Sequence, residues 1–160
     1  MKILIMSRND IEKMAEKAFP DGTAVISITD YGDEPVFFKN APAFIHHVSF
    51  DDVDNDVIID ELGTHGTKEE KRKIEEKYHM CSCNQALEIA EFYDSIRDKA
   101  DVLICQCEHG QSRSAAVAAA ILEHRGKKGI RIFADDRYYP NKVVFRRVLE
   151  AIRILYKVEV

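Results

Sequence analysis

Apolar residues along the chain follow two periods, one typical of buried strands and one typical of amphipathic helices. Short apolar runs predict four β-strands, at residues 1–7, 23–29, 43–50 and 101–105. Helical spacing, with capping boxes that begin at Thr67 and Ser82, predicts helices at 10–17, 68–79, 83–98 and 112–126, and a last helix after Pro140 and Asn141. This alternation predicts an α/β fold with a central, mostly parallel sheet flanked by helices.

Composition and charge favour one small globular domain over residues 1–160. The apolar fraction of 46% is sufficient for a core, and no repeat or linker-like tract divides the chain. The N-terminal apolar run is too short for a signal peptide or a membrane span, so we expect a cytoplasmic protein without a membrane partner. The net charge of -5 argues against a nucleic-acid partner, because such partners favour clustered lysine and arginine, and none is expected. A monomer is the default expectation.

The segment of residues 104–121 carries the strongest functional signal. An apolar strand ends at Cys107, a turn containing Gly110 follows, and a helix begins near Ser112. Backbone amides of such a turn, together with the N-terminus of the helix, bind a tetrahedral anion without a metal. We call residues 107–113 the cysteine loop; the residues expected to bind phosphate in it are Glu108, His109, Gly110, Gln111, Ser112 and Arg113.

The residue types at the two ends of the cysteine loop indicate covalent catalysis. The field that attracts phosphate also stabilises a thiolate, which makes Cys107 the expected nucleophile. Arg113 can pair two phosphate oxygens with its planar guanidinium, and the Ser114 hydroxyl is placed to bind the sulfur. The chain is therefore predicted to hydrolyse phosphomonoesters through a phosphocysteine intermediate, with no metal or organic cofactor.

A proton donor for the leaving group is expected on the acidic loop at residues 51–56. This loop follows the third predicted strand, and a parallel sheet delivers such loops to the edge where Cys107 lies. The residues alone leave Asp51, Asp52 and Asp54 open as the general acid.

A zinc site is the rival interpretation of the cysteines. Cys81 and Cys83 form one pair separated by a single residue, and Cys105 and Cys107 form another. Zinc-binding pairs usually have two intervening residues, so this spacing is unfavourable for a four-thiolate site.

The sequence from residue 101 to 141 resembles the cysteine-based protein tyrosine phosphatase superfamily, specifically its compact dual-specificity branch of bacterial and viral type. The signature Cys-x5-Arg-Ser is complete from Cys107 to Ser114. The resemblance implies a dual-specificity phosphatase-like fold, Asp52 as the general acid, and Asn141 as a residue that braces the cysteine loop by hydrogen bonds. The family often has histidine where this chain has Gln106, and this departure keeps open a catalytically weak, phosphate-binding pseudophosphatase.

The variable positions of the cysteine loop bear on the substrate. Relatives that act on phosphoinositides tend to have lysine there, whereas this chain has Glu108, His109 and Gln111. Glu108 would repel a polyanion, including an RNA 5′-triphosphate. The expected partner is therefore a phosphorylated protein or peptide substrate, and the expected activity is that of a tyrosine or dual-specificity phosphatase.

Overall fold

The computed structural model of the protein describes residues 1–158, so the last two residues of the predicted domain lie outside the described residues. Its elements in chain order are β1 Lys2–Ser7, α1 Arg8–Ala15, β2 Thr23–Thr29, β3 Phe44–Ser49, α2 Asp56–Leu62, α3 Lys68–Lys77, α4 Cys83–Ile96, β4 Val102–Cys107, α5 Arg113–Gly126, α6 Ile130–Phe133 and α7 Lys142–Val158. No helix in this part of the chain has the length and apolar character needed to cross a bilayer.

The four strands form one sheet in the order β1-β4-β2-β3. All three neighbouring pairs are parallel, so the predicted α/β class with a central parallel sheet is confirmed. β4 lies inside the sheet, where Cys105 is opposite Ile5 on β1 and Ile26 on β2. The strand that carries Cys107 is therefore supported on both sides, and its carboxyl end opens at one edge of the sheet.

Side chains of β4 alternate between the two faces of the sheet, as strand geometry requires. Leu103, Cys105 and Cys107 belong to the larger core, which also contains buried residues of α4, α5 and α7. Ile104 belongs to a smaller core on the opposite face, together with Ile11 of α1. This arrangement places the Cys107 side chain on the face covered by α5.

Both predicted capping boxes are confirmed. The Thr67 and Ser82 hydroxyls each accept a hydrogen bond from the amide three residues later, and the Glu70 and Gln85 side chains bind back to the cap amides. These contacts satisfy amides that a helix start otherwise leaves without partners.

Several boundaries differ from the sequence-based prediction. α1 begins at Arg8, because the Ser7 hydroxyl accepts from the Asp10 amide at 3.2 Å and caps the helix there. β4 continues two residues past the predicted end at 105, because pairing with β1 extends to Cys107. α2 and α6 were not predicted, and both are short helices whose few apolar residues provide little periodicity.

Candidate active site

The cysteine loop joins the carboxyl end of β4 to the N-terminus of α5. Cys107 is the last residue of β4 and is 2% exposed, and Arg113 is the first residue of α5. Ser112, at the N-cap position, makes no capping hydrogen bond with its side chain. The start of this 14-residue helix is consequently without a side-chain cap, which leaves its first amides available to an anion.

Gly110 allows the cysteine loop to lie directly against β1. Its φ angle is +67°, and a Cβ at this position would lie 2.6 Å from the backbone nitrogen of Ser7. Both the positive φ and the close approach require glycine.

Backbone carbonyl groups of the cysteine loop accept hydrogen bonds from amides in other parts of the chain. The Glu108 carbonyl accepts from the Arg8 amide at 3.1 Å, and the Gln111 carbonyl accepts from the Tyr139 amide at 2.9 Å. Within residues 1–158, none of the backbone amides at positions 109–112 donates to a protein acceptor. The loop is thus anchored through its acceptors while these donors stay available to a ligand.

Arg113, the last residue of the cysteine loop, is almost completely buried, with 3% of its surface exposed. Its Nη1 donates to the Phe50 carbonyl at 2.8 Å and also forms an ion pair with Asp30. Its Nε is buried and has no hydrogen-bond partner within the described residues. Buried donors are normally paired, so this nitrogen indicates a binding position for an acceptor.

The Cys107 sulfur lies 3.0 Å from the Ser114 hydroxyl oxygen, and Ser114 is fully buried. The Ser114 hydroxyl was expected beside this sulfur, and the two atoms are in hydrogen-bond contact. The neighbouring Cys105 is different, because complete burial in the core raises the pKa of its thiol. Two cysteines on the same strand face therefore have distinct surroundings, and the one at the loop has polar neighbours.

The structure separates the three acidic candidates by what they contact. Asp52 contacts the cysteine loop: its Oδ1 accepts from the Ser112 hydroxyl at 2.8 Å. The same oxygen accepts from the side-chain nitrogen of Asn141 at 3.0 Å. Asp51 instead accepts from the Tyr31 amide at 2.8 Å. The Asp54 carboxylate accepts from the amides of Asn55 and Lys142, outside the cysteine loop.

Asn141 links the acidic loop to the cysteine loop. Its side-chain nitrogen donates to Asp52 and, at 3.1 Å, to the Val53 carbonyl. Its side-chain oxygen accepts from the Val144 amide at 3.0 Å, in the first turn of α7. Its backbone amide lies 3.4 Å from the Ser112 carbonyl of the cysteine loop. Within the described residues its side chain hydrogen-bonds to the acidic loop and not, as the resemblance implied, to the cysteine loop.

Asp30 was not singled out by the sequence. It follows β2 directly, and β2 is the neighbour of β4 in the sheet. The rule that ligands bind at the carboxyl ends of parallel strands could have drawn attention to it, provided that the strand order had been known. Strand order was also needed to predict the buried pair between β2 and β4, in which the Ser27 hydroxyl donates to Gln106 at 2.7 Å.

A cavity of about 390 Å³ lies next to Arg113 and the cysteine loop. It is lined by Asp30, Asp51, Asp52, Val53, Glu108, His109 and Arg113. A larger cavity of about 650 Å³ contains the exposed Cys83. Its arginine, Arg72, is paired with Glu69 and Glu76 of the same helix, which makes the smaller cavity the better candidate for a phosphate site.

The cysteines of the zinc interpretation are unlike one another. Cys81 is buried, which raises the pKa of its thiol to about 12, whereas Cys83 is exposed at the start of α4. Within residues 1–158 no group of three or more histidine, cysteine or acidic side chains is arranged to hold a metal ion.

The likenesses of this chain to known proteins are distant. No family model matches the sequence, and no curated protein matches it either. Among solved structures, the crystal structure of PTPMT1 is similar over 99% of this chain and 94% of that chain, with 11% sequence identity and a TM-score of 0.46.

Proposed function

We propose that the protein is a cysteine-dependent phosphomonoester hydrolase of the tyrosine or dual-specificity phosphatase type. The observation that carries the proposal is the position of the Cys107 sulfur, 3.0 Å from the Ser114 hydroxyl and at the start of the helix that begins with Arg113. Nucleophile, sulfur-binding hydroxyl and cationic clamp are thereby joined to one strand-to-helix turn. Such a turn also provides backbone amides for an anion.

In the first step the Cys107 thiolate attacks phosphorus in line with the leaving oxygen. An S–P bond forms, the P–O bond to the substrate breaks, and the leaving oxygen takes a proton from Asp52. Arg113 and the loop amides hold the three equatorial oxygens, where negative charge is spread in the transition state. Both described contacts of Asp52 use Oδ1, so Oδ2 is the oxygen assigned to the proton transfer.

In the second step water attacks phosphorus and the S–P bond breaks. Asp52, now a carboxylate, accepts the proton of that water, and inorganic phosphate leaves. The Ser114 hydroxyl donates to the departing sulfur and stabilises the thiolate that is regenerated. The chemistry needs no oxidant or reductant.

The substrate class follows from the charges around the cavity. Asp30, Asp51, Asp52 and Glu108 line it together with Arg113. These carboxylates repel additional phosphate groups, which favours a single phosphoryl group on a protein or peptide over phosphoinositides and RNA 5′-triphosphates. Faster hydrolysis of a phosphoinositide than of a phosphotyrosine peptide would contradict this preference.

A phosphate-binding module without turnover is the second candidate. Gln106 favours it, because this residue stands where the resembled family often has histidine, and its side chain is fully buried and bound to Ser27. An amide side chain cannot supply the charge of a protonated imidazole beside the nucleophile.

Hydrolysis of p-nitrophenyl phosphate and of a phosphotyrosine peptide distinguishes the two candidates. Wild type and Cys107→Ser are assayed with chelator present, and orthovanadate serves as inhibitor. We expect chelator-resistant, vanadate-sensitive activity in the wild type and none in the variant. An inactive wild type that still binds vanadate supports the binding module, and Gln106→His is then the variant to assay next.

A further inference from the structure

Arg113 is held by two acceptors on the same nitrogen. Its Nη1 donates to the Phe50 carbonyl at 2.8 Å and pairs with the Asp30 carboxylate. A guanidinium is planar and rigid, so two contacts on one terminal nitrogen restrict both its position and the orientation of its plane. The Nε on the other side of the group is buried without a partner within the described residues.

Asp30 is itself held by the ends of two neighbouring strands. It follows β2, and its carbonyl accepts from the Ser49 hydroxyl at 3.0 Å, at the end of β3. The same carbonyl accepts from the Asp33 amide at 3.1 Å, and the next residue, Tyr31, is bound through its amide to Asp51. The backbone that carries the Asp30 carboxylate is therefore fixed by hydrogen bonds, although the side chain is 42% exposed and lines the cavity.

We propose that Asp30 is a positioning residue that orients Arg113 for phosphate, an inference that rests on the proposed phosphate site. By holding Nη1, Asp30 and the Phe50 carbonyl leave the edge formed by Nε and Nη2 for the ligand. That edge can pair two oxygens of one phosphoryl group in parallel hydrogen bonds. The unpartnered Nε is the donor that such a ligand would satisfy.

The opposite role for Asp30 makes the opposite prediction. A carboxylate at the phosphate site could instead compete with the ligand for Arg113 and keep the site closed. In that case removing the carboxylate would tighten the binding of an oxyanion, whereas loss of a positioning residue weakens it.

Equilibrium binding of orthovanadate and inorganic phosphate tests the proposal, by calorimetry on wild type, Asp30→Ala, Asp30→Asn and Asp33→Ala. We expect Asp30→Ala to bind both anions about tenfold more weakly or worse, because a hydrogen bond to a charged group is lost. Asp30→Asn keeps an acceptor oxygen and should lie between Asp30→Ala and wild type. Asp33→Ala removes an exposed charge from the same turn and should bind as wild type does. Unchanged or tighter binding by Asp30→Ala overturns the proposal.

The NMR signal of the Arg113 Nε proton provides a readout that a merely structural role would not move. The signal is assigned by its absence in Arg113→Lys. Addition of phosphate should shift it in wild type and in Asp33→Ala, and the shift should be reduced or absent in Asp30→Ala at the same phosphate concentration. A shift in Asp30→Ala with the same concentration dependence as in wild type overturns the proposal.

Neither measurement requires turnover, so a negative result for the role of Asp30 can be distinguished from a negative result for the proposed phosphatase activity. A wild type that binds phosphate in an Asp30-dependent way but hydrolyses nothing would remove the catalytic proposal and leave the positioning role standing. An Asp30→Ala protein that binds phosphate and turns over substrate as wild type does would remove the positioning role and leave the catalytic proposal standing.

Discussion

At the scale of single residues, the immediate surroundings of a side chain separate it from others of its type. Cys105 and Cys107 lie on the same face of β4, yet Cys105 is surrounded by core and Cys107 contacts the buried Ser114 hydroxyl. Asp51 and Asp52 are adjacent, yet only Asp52 contacts the cysteine loop. Residue type is therefore insufficient to assign the chemistry, and the partners of each group are needed.

Replacement of Asp52 tests its assignment as the general acid. Asp52→Asn should lower kcat on a phosphotyrosine peptide by about a hundredfold and flatten the fall in rate at high pH, because no proton donor remains. The loss should be smaller with p-nitrophenyl phosphate, whose leaving group needs less protonation. The measurement is kcat as a function of pH for both substrates.

Asp54→Asn is the matched control, because it removes the same charge while keeping one of the two oxygens through which Asp54 accepts, Oδ1 from the Asn55 amide and Oδ2 from the Lys142 amide. It should retain the pH profile of wild type. If Asp54→Asn loses the basic limb and Asp52→Asn keeps it, Asp52 is not the acid.

At the scale of elements, α5 connects the site to the core. Every residue from position 113 to 121 of this helix is buried, so its first turns are covered on all sides. Alanines provide the space: α5 contacts β4 and β1 on one side and α7 on another, and larger side chains would keep these elements apart. The helix that presents Arg113 is consequently held in place by close packing rather than by amphipathic character.

Enlargement of one of these alanines should destabilise the protein. Ala118 is fully buried, and Ala118→Leu is expected to lower the free energy of unfolding by about 1–3 kcal/mol, because extra methylene groups force side chains and backbone to shift. Urea denaturation measures the change. Glu91→Leu, at an exposed position of α4, is the control and should change stability little. Equal stability of Ala118→Leu and wild type would contradict close packing around α5.

At the scale of the whole molecule, partly buried histidines couple folding to pH. Burial lowers the pKa values of His46, His47 and His124 below their ordinary value of 6.5. His46 stacks on Phe92, and its Nε2 has no hydrogen-bond partner within the described residues. The folded protein therefore disfavours the charged form of these side chains relative to the unfolded chain.

Stability should decrease on mild acidification. Because the unfolded chain binds protons at a higher pH than the folded one, the stabilisation is complete above the unfolded pKa and is lost as pH falls through the lowered folded values. Urea midpoints measured from about pH 7.5 to about pH 5.5 should decline accordingly. His46→Phe keeps an aromatic ring beside Phe92 and should reduce the decline. A His46→Phe protein with the same pH dependence as wild type would contradict the assignment of this effect to His46.

The sequence by itself determined the features that depend on neighbours a few residues apart. The bounds of β2 were predicted correctly, and so were the capping boxes at Thr67 and Ser82. The order of cysteine, glycine, arginine and serine in the cysteine loop was also readable, because a strand-to-helix turn that can bind an anion is a local structure. These features require no knowledge of the rest of the fold.

Only the tertiary structure decided which distant groups complete the site. Asp30 and the Phe50 carbonyl contact Arg113, and Asp52 contacts Ser112 and Asn141. The partners in these contacts are 60 to 89 residues apart in the sequence. These contacts exist because β4 pairs with β1 and β2, which brings the ends of strands from different parts of the chain to one edge. Strand order results from packing of the whole core, and local propensity contains no record of it.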